Sequence, residues 1–405
     1  MKIAMVSVNA SPFAAPTGVD GGQDVHVAEL ARELDVQGHH VTVYTHKSGP
    51  GLRDRVRLGA GVAVEHIEAG PVAPLSAQEL AAHTLEFGRR LADRLADDRP
   101  DVIHAHSCVS GLAVVAAQQT DAALRDVPLV QSLYGPTRKA GARRRLETAL
   151  ARSAAAVTTG STPEADVLIH NGVPRKSIHI VPQGVNVDRF TPEGPAYARS
   201  EAPRLLAPSL SPPAVAATTA ALAWIPGAEF VVAGGPARED LEADPAVHRL
   251  RHLAKQAGVN DRVTFLGRVA RKDLPRLLRS ADLVVCAPPD GPTDRIPLEA
   301  MACGVPVVTT PASGQAEMVI DKVTGMHVSP GRPADMARRV RDLLADSTLR
   351  TAYGIAAADR ARSRYSWDRI CRETLRVFEL VTDTAAAAAD DGDEPDPIAL
   401  EEALV

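Results

Sequence analysis

Apolar residues fall along this chain in short, almost unbroken runs separated by stretches with helical spacing. Ile3 to Val8, His39 to Thr45, Asp101 to Ala105, Pro128 to Leu133 and Ala155 to Thr159 read as buried strands. Val25 to Leu34, Leu80 to Ala96 and Thr162 to His170 read as the helices between them. Strands that lack polar alternation and take turns with helices predict parallel sheets covered on both faces. The pattern resumes at Arg204 and continues through Ala228 to Gly235, Val263 to Val269, Leu283 to Cys286 and Val305 to Val308. Between the last two runs, Pro288 to Pro292 is a Pro/Gly loop, Pro297 suits the first turn of a short helix, and Gly304 suits its end.

At 405 residues the chain exceeds one typical core, so two α/β domains with an appendage are expected. A net charge of −5 argues against a nucleic-acid binder. No apolar run approaches the roughly 20 residues that would span a bilayer, and Met1 to Met5 leads into a strand rather than a signal peptide. Cys108, Cys286, Cys303 and Cys371 lie far apart with no metal-ligand spacing, and read as small buried residues of a cytoplasmic protein. From Thr382 the chain turns acidic and low in complexity, which predicts disorder over 382–405.

Candidate chemistry gathers where strands hand over to helices. A helix starting beside a strand's carboxyl end offers free N–H groups and partial positive charge to phosphates, and Glu299 on such a first turn would reach a ribose hydroxyl. The loop Gly18-Val19-Asp20-Gly21-Gly22 is not the dinucleotide fingerprint, so a nicotinamide cofactor is disfavoured. His104 and His106 have strand spacing rather than the helical spacing of a zinc pair, and such residues are more often satisfied strand-end histidines. Arg138, Lys139 and Arg143 to Arg145 form a basic cluster, ordinarily a solvated helix face.

The run Ile296-Pro-Leu-Glu-Ala-Met-Ala-Cys-Gly-Val-Pro-Val-Val308 closely resembles the nucleotide-sugar site of retaining glycosyltransferases of family 4. Further likenesses are Gly21-Gly22, Asp101 to Ser107, Ile178 to Phe190, Val263 to Val269, Ser313 to Gly325 and Tyr365 to Leu375, so the resemblance covers roughly residues 1 to 380. It implies the GT-B fold: two doubly wound, parallel-sheet, Rossmann-like domains facing a cleft. The acceptor-side domain would span 1–190 and the donor-side domain 191–364, with a helix over 365–381 crossing back to the first. It further implies a nucleotide-diphosphate-sugar donor, a small-molecule or glycan acceptor, no metal and no other cofactor. The donor would be met by Gly21, Gly22, Gly267, Arg268, Val269, Arg295, Ile296, Leu298 and Glu299, and catalysis served by Glu299, Asp290, Tyr134 and His106.

Four positions depart from the family pattern. Gly291 replaces a Glu eight residues before Glu299, Tyr134 a histidine near the transferred sugar, and Leu210 and Val215 an Arg and a Lys aimed at the diphosphate. Loss of two charged hydrogen bonds costs about 3 to 6 kcal/mol if nothing replaces them, or about a hundredfold to ten-thousandfold in rate. Arg295, Arg268, Arg271 and Lys272 are the candidate replacements, Arg295 first, with Asp290 standing for the missing Glu. Two readings stay open: a working transferase with a re-equipped donor site, or a non-catalytic relative that binds a nucleotide or a partner transferase.

Overall fold

The structure, a computed structural model, describes residues 1–12, 22–286, 295–311 and 314–391. The described residues form two compact units, one built from residues 1–12, Gln23–Pro182 and the chain from Ile370, the other from Gly22 and Gln183–Arg369.

In the first unit the strands are β1 (Lys2–Val6), β2 (His40–His46), β3 (Arg55–Arg57), β4 (Val62–Ile67), β5 (Val102–Ala105), β6 (Leu129–Ser132), β7 (Ala156–Thr159) and β8 (Ile178–Ile180). They line up as β3-β4-β2-β1-β5-β6-β7-β8, parallel except for β3 against β4. The chain leaves β1 for β2 on one side and returns to β5 on the other, so the order reverses between β1 and β5. Ligands of doubly wound sheets bind outside the carboxyl ends of the strands at such a reversal.

The second unit repeats the plan with β9 (Arg204–Ala207), β10 (Glu229–Ala233), β11 (Val263–Gly267), β12 (Leu283–Cys286), β13 (Val307–Thr309) and β14 (Gly325–His327). The order is β11-β10-β9-β12-β13-β14, all parallel, and the reversal falls between β9 and β12. Leu205, Leu206, Leu283, Val284, Val307 and Val308 are fully buried at its centre. Strands covered on both faces have no solvent side to mark with polar residues, which is why they read as unbroken apolar runs.

Three expectations are corrected. The helix read from Leu80 to Ala96 is two, Ala77–Ala82 and Thr84–Asp97, because Ser76 and Glu79 form a capping box that starts the first and His83 leaves helical geometry between them. The first domain does not run to 190: Phe190 is buried in the second unit's core and Val185 N–H bonds Tyr365 O at 2.8 Å. The final helix, Trp367–Asp391, outlasts the expected 365–381, and its residues from Ile370 on belong to the first unit. Alanines in the 382–391 stretch are strong helix formers, which carries the helix past the expected onset of disorder at Thr382. Residues 392–405 lie outside the described residues.

Candidate functional site

At the carboxyl edge of the second sheet, β12 leads towards the helix Ile296–Ala302. The segment 287–294 lies outside the described residues, and with it Asp290 and Gly291. Pro297 stands in the helix's first turn and Gly304 follows its end with φ +72. Every residue from Ile296 to Ala302 is buried, and Glu299 is the one charged side chain among them, 1% exposed. Ile296 and Leu298 were expected to touch the donor, yet both side chains belong to the hydrophobic core, so only their main chain is available to a ligand. The helix has seven residues, too few to carry the strong dipole expected of an anion site.

Glu299 is held by guanidinium groups. Arg271 Nη1 donates to Oε2 at 2.9 Å and Arg271 Nη2 donates to Oε1 in a second, shorter bond. Arg295 Nε lies 3.6 Å from Oε1, four residues back on the same side of the helix. Arg271 also stacks over the Phe190 ring, 5.2 Å from its centroid. Such planar, two-bond pairing is the strong form of a charged hydrogen bond. Arg295 had been expected to stand ready for a phosphate; the structure places it beside Glu299 instead, and Arg271 takes both carboxylate oxygens.

The loop after β11 brings Arg271 there. Gly267 ends β11 with φ +74, and a Cβ on it would lie 3.0 Å from Pro236 O and 3.1 Å from the Arg238 Cα. No other residue fits so close a crossing with that backbone angle. The crossing is tied by Gly234 N–H to Gly267 O at 2.9 Å and Arg268 N–H to Pro236 O at 2.8 Å. Arg268 therefore spends its N–H inside the unit while its side chain is exposed; Val269 turns into the core, and Lys272 is exposed.

After β9 the sequence register needs correcting. Val215 is fully buried among Leu205, Phe230 and Leu283 on the helix Pro212–Leu222, so a side chain at that position faces the core, not a ligand. Leu210 packs half-buried against the same core. The conclusion about charge survives the correction, because residues 205–228 contain no Lys, Arg, Asp or Glu in any register.

In the first unit a second cluster stands at the carboxyl edge, beside the reversal between β1 and β5. Tyr134, just past β6, shares a 3.0 Å hydrogen bond with His26 Nε2. The His26 and His106 rings are 5.8 Å apart, and those of His106 and His104 4.0 Å. His104 Nε2 shares a proton with Ser132 Oγ at 2.7 Å, which bonds Thr158 Oγ1 at 2.6 Å. His104 is thus bonded through Nε2 alone, its buried Nδ1 having no hydrogen-bond partner among the described residues, and neither ring nitrogen of His106 has one. Burial, reinforced by the neighbouring imidazoles, pushes His104 down to about 3 and His106 well below its ordinary value, so both rings are neutral. Burial raises the Tyr134 phenol, which stays an O–H.

Glu164 fixes the backbone around Tyr134 by accepting from Gly135 N–H at 3.2 Å, Gly160 N–H at 2.9 Å and Thr159 Oγ1 at 2.9 Å. In the basic cluster, Arg143 bonds the buried Glu147 at 2.9 Å, and Arg138, Lys139 and Arg145 are exposed. His26 was missed in the sequence. Its signal was there: it sits four residues before Leu30 on the buried face of the helix Gln23–Val36, where an apolar residue is expected. Gly22 is the described member of the glycine pair, immediately before that helix; Gly21 lies outside the described residues.

Among the described residues no helix is long and apolar enough to cross a membrane. The model of Glycosyltransferase Family 4 matches residues 20–189, and that of Glycosyl transferases group 1 matches residues 216–360. A D-inositol 3-phosphate glycosyltransferase from Streptomyces bingchenggensis is 31% identical over 93% of this chain and 89% of its own. One of the same name from Xylanimonas cellulosilytica is 31% identical over 94% and 97%. Among solved structures, a sucrose-phosphate synthase from Thermosynechococcus elongatus superposes with a TM-score of 0.81 at 21% identity, covering 95% of this chain and all of that one. Anabaena HepE, in complex with UDP and glucose, gives 0.69 at 19%, over 96% of this chain and all of its own. With two reversed parallel sheets, matches to both family models and near-full-length relatives, the chain belongs to the family 4 glycosyltransferases and has the GT-B fold.

Proposed function

We propose that this glycosyltransferase takes its sugar from a nucleotide-diphosphate donor, with retention of configuration, and that the donor is held at the carboxyl edge of the second sheet. The observation that carries the reading is Glu299, a single buried carboxylate on an otherwise apolar helix beside the sheet reversal, with two guanidinium groups beside it. A carboxylate there accepts from the vicinal hydroxyls of a ribose, and a guanidinium meets the leaving diphosphate. The bond from the sugar's anomeric carbon to the diphosphate breaks, the acceptor oxygen bonds that carbon on the same face, and the acceptor's proton passes to a phosphate oxygen. Positive side chains that meet the growing charge on the diphosphate lower the barrier, so the reading assigns no metal ion and no resident cofactor.

For the acceptor, the reading is a phosphorylated polyol. Relatives are named for inositol 3-phosphate, and the cations of Arg138, Lys139 and Arg145 in the first unit are exposed to an anionic ligand. Calorimetric titration with UDP, GDP and ADP, followed by donor turnover with and without a polyol phosphate and assignment of the product anomer by NMR, tests this. Binding with turnover to the retained anomer is expected. Binding without hydrolysis or transfer would assign the protein a non-catalytic, nucleotide-binding role, and absence of binding would remove the donor reading.

A further inference from the structure

We propose that Arg271 is the residue that meets the donor diphosphate, and that it does so by exchanging partners: in the free protein it occupies Glu299, and the donor separates the two. The inference rests on the donor reading above and concerns how this chain works without the cations its relatives place after β9.

The loop and helix after β9 have no charge to offer, since 205–228 are uncharged throughout. Of the two guanidinium groups on Glu299, Arg271 is the one with an outlet: its side chain is 14% exposed, against 7% for Arg295. It stands on the loop after β11, not on the helix it reaches, and its guanidinium lies over the Phe190 ring. The fork that pairs with two carboxylate oxygens matches two phosphate oxygens equally well, so the exchange replaces one planar acceptor with another.

Exchange also requires that Glu299 survive it. A buried carboxylate stripped of every cation is costly. Here Arg295 remains 3.6 Å away on the same helix, so the carboxylate keeps one positive neighbour while its freed edge turns to ribose hydroxyls. Arg271 and Glu299 are then mutual placeholders: each holds, in the free protein, the position that one part of the ligand takes later. A nucleoside without phosphates can satisfy only Glu299 and leaves Arg271 without a replacement anion. A bare diphosphate satisfies only Arg271.

The test compares UDP, uridine and inorganic pyrophosphate by calorimetry on the full chain, with GDP or ADP and the matching nucleoside if the titration above selects another base. Arg271→Ala should lose about 10- to 100-fold in UDP affinity and bind uridine as well as or better than the unaltered protein, because Glu299 is released. Arg271→Lys, which keeps the charge without the fork, should show a smaller loss confined to UDP, and serves if the alanine variant does not fold. Glu299→Gln should bind pyrophosphate more tightly, a gain that a merely structural ion pair would not give. Equal losses for UDP and uridine, a UDP-specific loss in Arg295→Ala but not in the Arg271 variants, or weaker pyrophosphate binding in Glu299→Gln would overturn the exchange. If the unaltered protein binds no nucleoside diphosphate, the donor reading itself fails, which is a different result.

Discussion

The Tyr134 hydroxyl and His26 Nε2 stand 3.0 Å apart, joining the loop after β6 to the helix that follows the glycine loop. The family pattern that the sequence resembles has a histidine where Tyr134 stands; here the position carries a phenol, held against the His26 imidazole. The bond is half-buried, and Tyr134→Phe should cost about 1 kcal/mol of stability by removing it. If Tyr134 faces the transferred sugar, the same change lowers kcat more than that loss explains, while Tyr134→His retains turnover. Because burial raises the phenol above its ordinary value, Tyr134 adds no step to the rate profile between about pH 6 and 9. Steady-state kinetics across that range, with melting curves for each variant, checks all three statements.

Glu299→Gln has a different expected signature from the one its sequence context suggests. A surface ribose ligand would lose nucleotide affinity with its melting temperature unchanged. The carboxylate is buried between Arg271 and Arg295, so neutralising it breaks a buried ion pair, at about 3 to 5 kcal/mol. For a unit of this size that corresponds to a fall of about 6 to 20 °C in Tm. Scanning calorimetry without ligand measures it, and an unchanged Tm would show that Glu299 is solvated in solution.

The strands of the parallel sheets were legible because burial on both faces makes them apolar without interruption. The short edge strands β3 and β8 and β4, whose apolar run Glu65 and His66 interrupt, were not read as strands: Arg55–Arg57 is charged and three residues long, and its pairing to β4 depends on a turn rather than on pattern. In the site, Glu299 and the glycine-bounded loops could be read from local wording. The Arg271–Glu299 pair could not, since its partners are 28 residues apart, one on the loop after β11 and the other on the helix after β12, and β10 and β9 separate those strands in the sheet. Local spacing carries no record of which loops a sheet reversal brings together. The placing of a lost cation at Val215 failed for a related reason: along an uncharged helix the apolar positions do not reveal which one faces the core until the packing is known.

His104 and His106 predict an acid-sensitive first unit. Both are neutral when folded, with values held below the unfolded value of about 6.5. The unfolded chain therefore binds more protons below that pH, so the stabilisation is fully present above about 6.5 and is lost as pH falls towards the folded values. Each ring contributes at most about 1.4 kcal/mol per pH unit within that window. The groups facing His106 are His104 on β5, His26 on the helix Gln23–Val36 and, through His26, Tyr134. Melting followed by circular dichroism should shift steadily downward from pH 7 to pH 4. His106→Phe, which keeps ring volume and removes one titrating group, should flatten the slope; an unaltered slope would place the acid sensitivity elsewhere.

The helix that carries Glu299 is positioned from behind by a glycine contact. A Cβ on Gly354, in the helix Ser347–Tyr365, would lie 2.2 Å from the carbonyl oxygen of Gly304, just past the end of the helix Ile296–Ala302. That neighbour is backbone, so Gly354→Ala cannot be absorbed by a rotamer change and must push the two helices apart. Overpacking of this kind costs about 1 to 3 kcal/mol. Displacement is felt at the site because Gly304 closes the helix whose fourth residue is Glu299, and the Arg271 fork requires both carboxylate oxygens in one plane. Gly354→Ala should thus lower Tm and also weaken UDP binding, although it touches no ligand. Ile355→Ala, the next residue and 61% exposed, is the control, expected within about 0.5 kcal/mol of the unaltered protein in stability. If Gly354→Ala melts early but binds UDP as before, the helix contact supports the fold without setting the position of Glu299.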